Sequence, residues 1–104
     1  MDVTPILRQF KAGATTLYGG RLKNIILFGS WARGEAGPES DIDLLVVLQG
    51  NIIPGREIDR MLDLITDLNL EHTVLLAVLP MSESEYIKVN SPLLLNIRQE
   101  GVAI

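Results

Sequence analysis

Apolar residues recur along this chain in two rhythms, one suited to helices and one to strands. In the first segment Ile6, Leu7, Phe10, Ala14 and Leu17 return every three or four residues, as on a helix with one buried face. Thr4 is placed to cap that helix, Pro5 suits its first position and Gly19-Gly20 ends it, so a helix is predicted over 5–18. Asn24 to Phe28 is a short apolar run, read as a buried strand near 24–29 that stops at Gly29-Ser30. The stretch SWARGEAGPES, from Ser30 to Ser40, is rich in small residues. Its start suits one helical turn, and Gly34, Gly37 and Pro38 make the rest a loop. DIDLLVVL, residues 41–48, has two acids at its mouth and an unbroken apolar tail, the pattern of a strand buried on both faces.

Gly50 to Gly55 reads as a turn, after which Ile58, Met61, Leu62, Ile65 and Leu68 restore the helical rhythm over 56–68. Asp59, Asp63 and Asp67 lie largely off that stripe, as a solvated face, and Asn69 is a reasonable stop. A third apolar run, HTVLLAVL at 72–79, is bounded by Pro80. Strand, helix and strand with a crossover of this length predict a parallel, right-handed pair. The eleven residues joining the first two strands also allow antiparallel neighbours. Ser82 with Glu85 is a capping-box pattern, and Ser91-Pro92 opens a last helix that Gly101 ends. The expected fold is α+β: a mixed sheet flanked by helices, in a single domain over 1–104.

Composition narrows the class. With 47% hydrophobic residues in 104, one domain with a core is expected. A net charge of -4 offers no basic surplus for a long nucleic acid, so a nucleotide partner would be small and brought in with a cation. There is no cysteine, which excludes disulfides and thiolate metal sites and suits a reducing compartment. MDVTPILRQF does not read as a leader, and no apolar run approaches the roughly 20 residues of a membrane span. A cytoplasmic protein with no membrane partner is expected.

The candidate chemistry sits at two strand ends. Asp41 and Asp43 are separated by one residue, so on a strand their side chains share a face while Ile42 takes the other. Paired carboxylates repel unless a cation lies between them, and magnesium takes one or two carboxylates plus substrate phosphates. Taken alone, the pair reads equally as solvated acids at a turn. Gly29-Ser30 changes that balance. A strand ending in Gly-Ser and opening a helical turn offers free backbone N–H groups, a hydroxyl and room for close approach, which is how proteins hold phosphate. With both features ending apolar strands, a phosphate cradle and a cation site would lie side by side.

GSWARGEAGPESDIDLLVVL resembles the signature of the DNA polymerase beta-like nucleotidyltransferases: Gly-Ser, about ten residues, then Asp-x-Asp on a strand. Here ten residues, Trp31 to Ser40, separate Ser30 from Asp41. Ala32-Arg33-Gly34, Ser40-Asp41-Ile42-Asp43, the chain length and the ending NSPLLLNIRQEGVAI resemble the minimal nucleotidyltransferases of bacteria and archaea. The resemblance implies that Gly29 and Ser30 hold the triphosphate of a nucleotide and that Asp41 and Asp43 hold magnesium, or manganese in its place. It implies transfer of a nucleoside monophosphate, AMP from ATP, to an acceptor hydroxyl. Arg33, in the motif loop, is a candidate phosphate contact and equally a solvated cation. Nucleotidyltransferases of this minimal type often stand beside an all-helical HEPN toxin and act as its antitoxin by adenylating a tyrosine. So short a chain leaves the acceptor to such a partner or to a homo-oligomer interface.

One departure from the pattern is plain. The superfamily usually draws a third carboxylate from the next core strand, and HTVLLAVL has none. Glu71, at its expected entrance, is the nearby candidate ligand. The alternative to an enzyme is therefore a weak or inactive nucleotidyltransferase-fold module that neutralises a partner by binding alone. Trp31 reads as a packing anchor, Tyr18 and Tyr86 as half-buried structural residues, and His72 has no second His or Cys with which to bind a transition metal.

Overall fold

The computed structural model describes residues 1 to 104. Three strands of seven residues each, β1 (Leu22–Phe28), β2 (Ile42–Leu48) and β3 (Leu76–Ser82), carry the apolar runs. A short β4 (Val102–Ala103) completes a sheet of order β3-β2-β1-β4. β1 runs antiparallel to β2 and to β4, while β2 and β3 are parallel, as a crossover helix between them requires. The fold is thus the α+β class with a mixed sheet. The helices are α1 (Thr4–Tyr18), α2 (Ser30–Arg33), α3 (Pro54–His72), α4 (Glu83–Lys88) and α5 (Pro92–Glu100). None is long and apolar enough to cross a membrane.

Alternation along β2 sorts the core into two layers. Ile42, Leu44, Val46 and Leu48 face α1 and α3, meeting Ile6, Phe10 and Ala14 from one and Met61 and Leu68 from the other. Leu45 and Val47 face the opposite way and meet Ile26 of β1 with Leu94 and Ile97 of α5. Each fully buried side chain of this size contributes roughly 1.5–3 kcal/mol by leaving water. β2 carries six of them in succession, from Leu48 back to Leu44 and Ile42, interrupted only at Asp43.

Several sequence expectations need correction. Thr4 does not cap α1 but is its first residue; Val3 stands at the cap position without a side-chain bond, and the Asp2 carboxylate before it accepts from the Thr4 N–H at 2.9 Å. Leu17 is exposed, and Tyr18 occupies the buried end of that stripe. Leu62 of α3 is likewise exposed, whereas Glu57 is buried because the Tyr18 hydroxyl donates to its carboxylate at 2.8 Å. The largest change lies after Leu68. Asn69 does not stop α3, which runs on to His72 and ends on Thr73 in the left-handed conformation. Asn69 works from inside the helix: its carbonyl accepts from Val74 and its side-chain oxygen from the Leu76 N–H at 2.9 Å. The third strand consequently begins at Leu76, four residues later than predicted. β4 was not predicted at all; its two residues are too few to show a period. The caps at Ser82 and Ser91 are as expected, accepting from Glu85 N and Leu94 N.

Candidate active site

The antiparallel register pairs Phe28 with Asp43, so the end of β1 lies beside the start of β2. Immediately after Phe28 the backbone turns through Gly29 at φ 73° and ψ -155°, a region open essentially to glycine alone. The reason for glycine is also steric. A Cβ at Gly29 would collide with Asp43 Oδ2 and lie 3.1 Å from its Cγ. The bend opens α2 at Ser30, and the leading N–H groups of a helix have no partner within it. Gly34, left-handed, closes α2.

The loop back to the acids is pinned at its far end. Trp31 Nε1 donates to Ser40 O at 3.2 Å, and Ser40 Oγ accepts from Gly37 N at 2.9 Å. Ile42 N donates to Leu75 O at 2.9 Å, fixing the mouth of β2 against β3. Asp41 is exposed just ahead of β2, and Asp43 is half-buried on it. Partial burial, with Asp41 beside it, pushes the Asp43 carboxyl above its ordinary range, and Arg33 pulls partly back. Arg33 itself is engaged at 3.1 Å by Glu35 and at 3.5 Å by Glu100 of α5.

Gly29, Ser30, Asp41, Asp43 and Arg33 are therefore brought together. Glu71 is not. It lies in the last turn of α3, where Gln9 Nε2 donates to it at 3.4 Å and His72 Nε2 stands at 3.5 Å. α3 packs on the Leu44 face of the sheet, whereas Asp43 projects with Leu45 from the other. No group of three His, Cys, Asp or Glu side chains is assembled for a metal. On β3 the residue paired with Asp43 is Ala77, and Leu75 shares its face, 56% exposed.

Two acids and a glycine cradle still form a coherent site. A carboxylate held above its usual range by burial and by a second acid gains from a divalent cation, and a notch that a Cβ would fill admits an oxygen-rich group against it. A groove of about 220 Å³ continues from Gly29 and Arg33 along α5, past Phe28, Leu93, Asn96 and Glu100. The sequence gives no period or motif that marks this wall, because it is assembled by the packing of α5 on β1.

The model of the family described as nucleotidyltransferase domain matches residues 7–99. A protein of Methanocaldococcus jannaschii named "putative protein adenylyltransferase MJ0604" is 36% identical over 102 residues, covering 97% of this chain and 96% of its own. A solved toxin-antitoxin structure with AMP-PNP aligns over 99% of this chain and 72% of that chain, with TM-score 0.64 and 16% identity. A structure from Sulfolobus solfataricus, described as a putative nucleotidyltransferase, covers 95% of this chain and 76% of its own, with TM-score 0.60 and 19% identity. Those two likenesses are likenesses of fold; the family match and the 36% identical relative go further, and on them this chain belongs to the nucleotidyltransferase domain family.

Proposed function

We propose that this chain transfers AMP from ATP to a hydroxyl of a partner protein, a tyrosine of a HEPN-type helical toxin, and so acts as its antitoxin. The observation that carries the reading is the contact between Gly29 and Asp43: the notch in the backbone and the acid pair are one site. The name of the Methanocaldococcus jannaschii relative and the toxin-antitoxin likeness with AMP-PNP support the same class.

In this reading Gly29 lets phosphate approach the backbone, and the Ser30 hydroxyl with the free N–H groups of α2 holds its oxygens. Arg33 exchanges a carboxylate partner for phosphate. Asp41 and Asp43 hold magnesium, or manganese. Bound there, the ion neutralises charge that develops at phosphorus as the acceptor oxygen bonds and pyrophosphate leaves. The acceptor must also lose a proton. A phenol titrates near pKa ~10, an easier loss than from an aliphatic alcohol, and Ala77 opposite Asp43 supplies no base.

That same Ala77 favours a second reading, in which the module binds a partner without modifying it. The two separate cleanly. The protein is incubated with its all-helical partner, ATP and magnesium, and the partner is weighed by mass spectrometry. Added adenylate is expected, and Asp41→Asn with Asp43→Asn abolishes it. Neutralisation by that double variant equal to wild type, with no mass gained in either case, would establish the binding module instead.

A further inference from the structure

We propose that Asn96 reads the adenine of the bound nucleotide, with the base seated in the groove between Phe28 and Leu93. The assignment rests on the reading of Gly29-Ser30 as a phosphate cradle. The groove is lined by Gly29 and Arg33 at one end and by Phe28, Leu93 and Asn96 along its length, so it is continuous with that cradle. It also lies on the Asp43 face of the sheet, where Phe28 packs against the layer formed with α5.

The wall chemistry suits a flat, edge-polar ring. Phe28 and Leu93 offer apolar surface, and Leu93 is left 45% exposed beside the site. Asn96 is the neutral carboxamide of this groove. Its neighbour Asn90 spends its amide oxygen on Arg98 at 2.9 Å, whereas the Asn96 amide makes no hydrogen bond within the protein. A carboxamide presents one acceptor and one donor side by side. Adenine offers a matching N6–H donor and N7 acceptor, whereas guanine offers two acceptors, O6 and N7, on that edge. The Asn96 oxygen would face one of them.

Reading a base needs a fixed reader, and α5 is fixed at both ends. At its start Ser91 caps the Leu94 N–H, and Arg98 reaches back to Val89 O at 2.8 Å and to Tyr86 O. At its end Glu100 is tied to Arg33, and Gly101 packs so closely on Ile26 and the Ile97 carbonyl that a Cβ would collide with both. Leu94 and Ile97, on either side of Asn96, are buried against β1 and β2.

Calorimetric titration with magnesium and three probes tests this: a non-hydrolysable ATP analogue, the matching GTP analogue and inorganic tripolyphosphate. Wild type should bind the ATP analogue about tenfold more tightly than the GTP analogue, at the lower end of what a bidentate amide contact provides. Asn96→Ala should lose that preference and keep its affinity for tripolyphosphate. A wild type indifferent to the base, or an Asn96→Ala protein that still prefers adenine, overturns the assignment. The cradle is judged separately by tripolyphosphate. Should wild type fail to bind it, the cradle falls, while an adenine preference that vanishes in Asn96→Ala still upholds the base assignment.

Discussion

The two faces of the sheet are built from the same four strands, and they do opposite work. The face carrying Ile42, Leu44, Val46 and Leu48 is sealed by α1 and α3 along the whole of β2. The other face is sealed only over Leu45 and Val47, where α5 crosses; at Asp43 it opens beside Gly29. Sealing one side completely gives the sheet its stability, which leaves the opposite side free to carry an unfavourable pair of acids and a strained glycine. The unfavourable features on the open side lie within reach of one another, as expected where a ligand is meant to relieve them.

The sharpest way to break this contrast is to truncate a leucine on each face. Leu44→Ala should lose about 2–5 kcal/mol of stability in urea denaturation, the range for a fully buried leucine, whereas Leu93→Ala, beside the groove, should lose under about 1 kcal/mol. Equal losses would mean that the faces are not divided as described. Next in size is Gly29→Val. Its left-handed backbone and the collision with Asp43 should cost about 1–3 kcal/mol and remove nucleotide binding, while Ser30→Ala retains most of it because the backbone donors remain. Ala77→Asp places a third acid opposite Asp43 and should tighten manganese binding about tenfold, or ~1.4 kcal/mol, in a titration followed by calorimetry. Unchanged affinity there would argue that β3 does not border the cation.

Asp43→Asn gives a smaller effect with a definite sign. The folded protein raises the Asp43 pKa above its ordinary 3.8, so the native state binds the proton more tightly than the unfolded chain. Wild type therefore gains stability as pH falls through the folded pKa, has the full gain below the unfolded one, and lacks it at neutral pH. Without metal, Asp43→Asn should be at least as stable as wild type at pH 7, with the advantage shrinking in acid. The smallest effect belongs to Glu71→Gln, which should change stability by no more than about 0.5 kcal/mol and leave adenylate transfer intact.

Much of this division was legible before the fold was known. The apolar tail of β2 announced burial on both sides, and the one-residue spacing of Asp41 and Asp43 predicted two neighbouring acids at its mouth, of which the strand itself carries Asp43. Gly29-Ser30 marked where β1 had to stop. The sequence was silent where tertiary contacts overrule local habit. Asn69 has the residue type of a helix stop, yet its side chain serves β3 from within α3, and the helix ends at a threonine in a conformation that residue seldom takes. That single shift carried Glu71 away from the acids and brought Ala77 to Asp43. The burial of Glu57 likewise depends on Tyr18, far away in the chain, whose hydroxyl donates to it. The groove wall at Asn96 depends on how α5 packs, which no local period encodes.

The bond from Trp31 Nε1 to Ser40 O has a meaning beyond packing. It makes the interval from Ser30 to Asp41 a gauge block, set in length at both ends. Strand side chains alternate, so shortening that interval by one residue would slide β2 by one and exchange its faces. Leu44 would then stand where Asp43 stands, and Asp43 would be driven into the place of Ile42, in the sealed layer with Phe10 and Met61. Variation in this family should therefore be generous in the identity of Glu35 to Glu39 and severe in their number.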